Sequence, residues 1–281
     1  MTSRRDTLKT LAALVAAGLV PRTARTLPWS ADSIDRVGVQ LYTVRSAMGK
    51  DVPGTLRAVA KLGYREVEFA GYFRNSPADV RRMLDDNGLT SPSTHLGLDD
   101  VRARFGEVAE TAHVVGHHYL TVASLDLRTI KTLDDWKKVA DTFNAAGRSA
   151  NGAGLRFAYH NHAIEFAPVG GQIPMDVLIA GTDPSLVTFE MDLYWVTKAG
   201  YDPRTYFARF PGRFELVHVK DSKGAPAHTM TEVGAGTMDW KGILAQHRQA
   251  GIKHYFVEHD EPADALESIR VSYNYLKALR F

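Results

Sequence analysis

The sequence predicts an α/β protein built as a single closed (β/α)8 TIM barrel, and three observations carry that prediction. From residue 37 onward, strand-like apolar runs alternate with helix-like ones, which implies a parallel sheet with helical crossovers. Eight such units follow one another at a spacing of roughly 30 residues, the count of a closed barrel. Four of the later runs then end in carboxylates or histidines, at the strand ends where barrels of this kind place their chemistry.

Taken in order, VGVQLYTV (37–44) is the first strand and 55–63 the first helix, with Leu56, Val59, Ala60 and Leu62 at helical spacing and Gly63 at its C-cap. YREVEFAG (64–71) alternates Val67 and Phe69 against Glu66 and Glu68, and Pro77 opens a helix running to Gly88. LTSPSTHLG (89–97) has the least regular strand pattern, because Pro92 interrupts it. A helix near 100–115 precedes HYLTVAS (118–124), and another near 134–151 ends before an apolar run that opens into YHNHAIEF (159–166). Further along, a helix at 175–180, strand 186–195, a helix near 202–210, strand 214–221, a long loop, a helix near 239–250, strand 254–259 and a helix at 263–279 complete the chain. A doubly wound sheet is the competing arrangement. No linker, low-complexity stretch or repeat separates a second domain, so residues 32–281 are read as one barrel and residues 1–31 as a leader.

That leader holds SRRDTLK (3–9) followed by LAALVAAGLV (11–20), a charged region before a short apolar one. It resembles a twin-arginine export signal, Ser/Thr-Arg-Arg-x-Phe-Leu-Lys, with Thr7 where phenylalanine is usual. The apolar stretch is short for a membrane span, so no stable membrane association is expected beyond the signal. Neither Ala24 nor Ala31 has a small residue at the position three from the cut, which leaves cleavage and a retained anchor both open. Export would place the protein in the periplasm.

Composition narrows the chemistry. The chain of 281 residues has no cysteine, which excludes disulfides, thiolate nucleophiles and zinc-thiolate sites, so a metal must be held by oxygen and imidazole nitrogen. Arg4, Arg5, Lys9, Arg22 and Arg25 against Asp6 give the first 31 residues a charge of +4, leaving −2 for the remainder of a chain whose formal charge is +2. The barrel therefore has no basic excess for nucleic acid. Homo-oligomer formation stays open.

The polar residues that close the strands are Gln40, Glu68, His95, His160, His162, Glu165, Asp192, His218, Lys220 and Glu258. Glu190 shares a strand face with Asp192, and Lys220 shares one with His218, by the period of two. Singly, each has an ordinary explanation: a strand histidine satisfied in a core, Asp192 capping the turn after its strand, Glu258 paired with a nearby cation. Jointly they are better explained by a divalent cation, because strand interiors exclude charge unless it is paired or coordinated. Three carboxylates and an imidazole leave open positions for substrate, a Lewis-acid site.

HNHAIEF, EMDLYW, HVKD, the glycine-bearing EVGAGTMDW (232–240) and FVEHD together resemble the sugar phosphate isomerase/epimerase group of xylose isomerase-like barrels, the superfamily that also holds endonuclease IV. The resemblance covers essentially everything after the leader. It implies one divalent metal, manganese first, with cobalt, magnesium or zinc as alternatives, on Glu165, Asp192, His218 and Glu258. The fifth-strand ligand is the least direct match: the family's glutamate lies inside the strand, where this chain has Ala158 or Tyr159, and His160 or His162 are substitutes for Glu165. Trp195 stands where many relatives have a histidine, and His218-Val-Lys-Asp replaces the His-x-Asp-x-His element of a trinuclear zinc site, which argues against DNA repair.

The implied chemistry is proton abstraction beside a carbonyl of a sugar. Glu165 and Glu258 would serve opposite faces of the substrate, with Lys220 as electrostatic partner or acid, while Gln40, Glu68, His95, His160, His162 and Trp195 contact the sugar. Export and the lack of a phosphate cradle favour a non-phosphorylated sugar or keto sugar. An isomerase/epimerase is the leading expectation and a keto-glycoside lyase or hydratase the runner-up; a sugar-binding barrel without catalysis is the alternative from another class.

Overall fold

The computed structural model describes residues 32–281; the export signal expected in residues 1–31 lies outside the described residues. The strands are β1 (Gly38–Gln40), β2 (Glu66–Phe69), β3 (Thr90–Leu96), β4 (Tyr119–Val122), β5 (Arg156–His160), β6 (Val187–Asp192), β7 (Leu216–Val219), β8 (Asp221–Ser222), β9 (Met230–Thr231) and β10 (His254–Val257). Eight of them, β1 to β7 and β10, close into a parallel barrel in sequence order, while β8 and β9 form a small antiparallel hairpin above it. Among the described residues no helix is long and apolar enough to cross a membrane.

The period of two sorts the strands into two populations. Val39, Val67, Leu120, Phe157, Phe189, Val217 and Val257 belong to the large apolar core with the surrounding helices. Inside the barrel, Tyr119, Ala158, Leu216 and Phe256 form a separate small cluster. A Cβ on Gly38 would come within 2.6 Å of the Phe256 ring, so glycine at this position lets the ring fill the barrel axis. Above this apolar plug the inward positions are polar, and the adjacent registers His160 with Glu190 and Asp192 with His218 bring them level.

Pro92 does not prevent β3 from forming. The β2–β3 register shifts between Glu66 and Glu68, and β3 pairs with β4 only from Ser93 onward, so the missing N–H falls at an irregularity in the ladder. The run expected as strand to residue 195 stops at Asp192, whose carboxylate caps the helix Leu193–Lys198 by accepting the Trp195 N–H at 2.9 Å. The helix expected near 239–250 is two short pieces, Trp240–Leu244 and His247–Ala250.

EVGAGTMDW has a structural purpose. Buried Asp221 accepts the N–H groups of Ser222, Gly234 and Met238 and the Trp240 indole N–H, at 2.7 to 3.2 Å. A Cβ on Gly236 would stand 2.1 Å from its carboxylate, and Gly234 has φ +89°. The two glycines let the loop wrap this carboxylate, which ties the hairpin to the barrel rim.

Candidate functional site

The C-terminal mouth of the barrel is a cleft of about 890 Å³, with His95, His160, His162, Lys220, Glu258 and Asp260 among its lining. Behind the lining residues His160 and Glu258 lies His218, which is fully buried between two groups of carboxylates. The His218 Nε2 faces Glu68 at 2.8 Å and Glu190 at 3.2 Å. Its Nδ1 faces Glu258 at 2.7 Å and Asp192 at 3.8 Å.

Glu68 is held from several sides. Gln40 Nε2 donates to it at 2.8 Å and Ser93 Oγ at 2.5 Å, while Gln40 Oε1 accepts the Tyr42 N–H at 3.0 Å. His95 Nε2 lies 2.7 Å from Glu190 and 3.3 Å from Glu68. Burial, then the neighbouring Glu190, push Glu68 above the ordinary carboxylate range. Burial acts the same way on Glu190, but the His218 and His95 imidazoles outweigh it and hold Glu190 well below that range. Glu68 and Glu190 therefore grip the far nitrogen of His218 and orient the ring, the arrangement that carboxylates behind a metal-bound imidazole adopt.

On the cleft side, one atom each from His160, Asp192, His218 and Glu258 lie within 4.8 Å of one another, and so do atoms of Glu68, His95, Glu190 and His218. The first set fits a divalent cation. The His218 Nδ1 is 2.7 Å from Glu258 Oε2 yet buried without a hydrogen bond to it. An imidazole nitrogen and carboxylate oxygens converging in this way, with Lys220 2.6 Å from Glu258 Oε2 holding part of their charge, are arranged as ligands of a shared cation are. The His160 Nδ1 contacts the Ala123 carbonyl at 3.0 Å, which turns Nε2 toward Asp192 at 3.3 Å. Burial, then the neighbouring His218, lower His160 to about 3, so it presents the neutral ring a metal needs.

Lys220 is the ammonium of the site. It is buried and lies 2.9 Å from Asp192, 2.6 Å from Glu258 and 2.9 Å from Asp260. Burial opposes its charge, but these three carboxylates raise it well above the usual lysine value. Burial would raise Asp192 too; Lys220 and His160 instead hold it at about 2.

Residues 56–278 match the family model of the xylose isomerase-like TIM barrel. The chain belongs to that family. An inosose dehydratase of Geobacillus kaustophilus (strain HTA426) is 27% identical over 207 residues, covering 63% of this chain and 67% of that protein, so a third of the dehydratase has no aligned counterpart here. A crystal structure of a sugar phosphate isomerase/epimerase from Parabacteroides distasonis ATCC 8503 has a TM-score of 0.78 at 27% identity, covering 92% of this chain and 98% of that one. The IolI protein, whose crystal structure holds a zinc atom, shares the fold with a TM-score of 0.71 at 15% identity, over 85% of this chain and 95% of that one.

Within this xylose isomerase-like barrel the expected residues are placed unevenly. Asp192, His218 and Glu258 come together as expected, and the fifth strand brings His160 to them. Glu165 stands apart in the short turn Ile164–Phe166, where its carboxylate accepts the Tyr159 hydroxyl and, at 2.9 Å, the His162 N–H. Its oxygens are committed to fixing the segment that carries His162. Gln40 and Glu68 are fully buried behind His218. Trp195 packs its ring 5.6 Å from His162 and under the Lys198 ammonium at 4.6 Å. Asp260, Arg45 and Tyr72, which sequence reasoning passed over, line the cleft; for Asp260 the signal was present, two residues beyond Glu258 in FVEHD.

Proposed function

We propose that the protein is a divalent-metal-dependent lyase that eliminates water from a polyhydroxylated ketone, a keto sugar or keto cyclitol. The observation that carries this is the pairing of a four-ligand set, of which His160 and Glu258 reach the cleft, with a buried ammonium beside it. Similarity to an inosose dehydratase supports it and moves the elimination reading ahead of the isomerase/epimerase reading, with which it shares its first step.

His160, Asp192, His218 and Glu258 would hold the metal, manganese, cobalt, magnesium or zinc, which when bound supplies Lewis-acid polarisation of the ketone oxygen. The residues of this chain do the rest. His162 lines the cleft, and burial lowers it and keeps it neutral, so it serves as the base that takes the proton from the carbon beside the carbonyl. Electrons from that C–H bond form the new double bond as the β C–O bond breaks. Lys220 donates its proton to the departing hydroxyl, which leaves as water, and is reprotonated through Asp260, which faces the cleft. Glu165 acts through His162 as a positioning residue. We assign export to the periplasm on the leader, and exclude nucleic acid as a partner on charge.

Incubating metal-loaded protein with inosose and a panel of keto sugars in deuterated water tests the assignment. Loss of one water with the rise of conjugated-enone absorbance is the expected result. Solvent deuterium entering the substrate without water loss favours the epimerase reading, which the Parabacteroides distasonis structure supports. Neither signal with any substrate leaves only a binding barrel.

A further inference from the structure

The ligand groups and Lys220 sit at the buried end of the cleft, with the half-buried His162 ring centred 4.8 Å from that of His160. The side chains of His95, His160, Lys220 and Glu258 are 10%, 3%, 2% and 7% exposed. The opposite end is open and aromatic, with Tyr42 42% exposed. A volume of about 890 Å³ is in the upper range for a drug-sized ligand, more than one six-membered polyol occupies. A ring held at the buried end leaves the open end unfilled.

The open end is built rather than merely vacant. The Arg45 guanidinium donates through Nη1 to the Asp260 carbonyl at 2.7 Å and the Tyr42 carbonyl at 2.9 Å, and it lies 4.0 Å over the Tyr42 ring. Among the described residues nothing takes its Nε or Nη2. Tyr72, after the neighbouring strand β2, shares a hydrogen bond of 2.8 Å with His117, whose Nδ1 is turned to the Ser91 carbonyl at 2.8 Å, which fixes the phenol. The loop presenting Tyr72 continues through Phe73 and Arg74 at φ 51° and 66°, a conformation non-glycine residues hold only when their surroundings impose it. Two aromatic rings and a cation with free donors, all restrained before any ligand arrives, suit a ring bearing hydroxyls.

Resting on the elimination reading above, we infer that Tyr42, Arg45 and Tyr72 form an outer subsite for a second ring linked to the reacting one, so that the substrate class is a keto glycoside rather than a free keto monosaccharide. Arg45 bonds the outer hydroxyls and Tyr42 stacks on the outer ring. The inner ring alone meets the metal ligands, His162 and Lys220.

Calorimetric titration of the metal-loaded protein with unreactive glucosides of both anomeric configurations separates the subsite from the chemistry. Phenyl glucoside or the disaccharide cellobiose is expected to bind about tenfold or more tighter than methyl glucoside. Tyr42→Ala should remove most of that advantage and change methyl glucoside affinity less than about twofold, and Arg45→Met should act on cellobiose more than on phenyl glucoside. Equal affinities for one-ring and two-ring ligands, or a Tyr42→Ala loss of the same size for both, overturn the subsite while the elimination reading stands. No binding by any glucoside overturns the subsite together with the sugar-directed reading it rests on.

Discussion

The two ends of this barrel bury similar residues and treat them in opposite ways. At the N-terminal end Glu215 receives Arg156 at 2.9 Å, Lys253 at 2.9 Å and the Tyr119 hydroxyl at 2.6 Å, and Glu66 meets His254 at 2.8 Å. Charge there is matched by charge. At the C-terminal end Glu68, Glu190, Asp192 and Glu258 are countered by a single ammonium, Lys220, and by imidazoles. Buried carboxylates in excess are costly unless protons or a cation compensate them. The surplus, rather than the presence of acids and histidines, distinguishes a reactive end from a structural one.

The comparison is broken most decisively at His218, the residue that faces both carboxylate groups. His218→Ala should lower kcat/KM for elimination on the order of 10³-fold or more and abolish binding of manganese or zinc by calorimetry. If metal affinity survives unchanged, the ligand set is wrong. Lys220→Met should separate the roles at the same end: metal binding is retained while kcat falls about 10²-fold or more.

The next effect is on stability. If four residues of the mouth share a cation, saturating metal at about 100 times its Kd should add about 2.7 kcal/mol, read as a fall in Tm when a chelator removes it. The Asp192→Asn variant should show little of this dependence. An unchanged Tm in the wild-type protein would leave the surplus charge to be met by protonated imidazoles.

The contrast extends to histidines and to pH. His218 is raised well above the usual histidine value because Glu190 and Glu258 outweigh burial, and a cation on its Nδ1 would displace the proton they hold there. Buried His117 outside the barrel has no carboxylate beside it, and burial lowers it to about 4. Its unfolded value is the ordinary 6.5, so between 6.5 and 4 the unfolded chain binds the proton and the folded chain does not. The stability contributed by neutral His117 is full above pH 6.5 and falls as pH drops toward 4, by roughly 3 kcal/mol in all. Denaturant titrations from pH 7 to 4 check this, since His117→Phe should flatten part of the slope.

Much of this architecture was legible in the sequence, because a period of two and a regular alternation with helices are properties of the chain itself. Asp192, His218 and Glu258 end their strands, and the geometry of a parallel barrel brings strand ends together without further information. The fifth-strand position was not legible in the same way. Glu165 and His160 differ by five residues, and which one faces the cleft depends on the turn at Ile164–Phe166 and on the Tyr159 hydroxyl that meets Glu165, a contact between residues on either side of that turn. Trp195 was similarly beyond a sequence argument: the helix beginning at Leu193 directs its ring toward Lys198. The pairing of the Gln40 amide with Glu68 joins residues 28 positions apart and turns an expected sugar contact into a support for His218.

The smallest effect sharpens the contrast from the other end. Glu215→Gln leaves Arg156 and Lys253 without their carboxylate, but Lys253 is more than half exposed, so solvent takes up much of the loss. A destabilisation of roughly 2 kcal/mol is expected by urea titration, below the range for breaking a fully buried pair. Metal affinity and kcat should stay within about twofold of wild type. The N-terminal network shares no partner with the mouth and is separated from it by the apolar layer of Ala158, Leu216 and Phe256. A large loss of kcat in this variant, with metal binding intact, would show that the two ends are coupled through that layer, and the division into a structural and a reactive end would then fail.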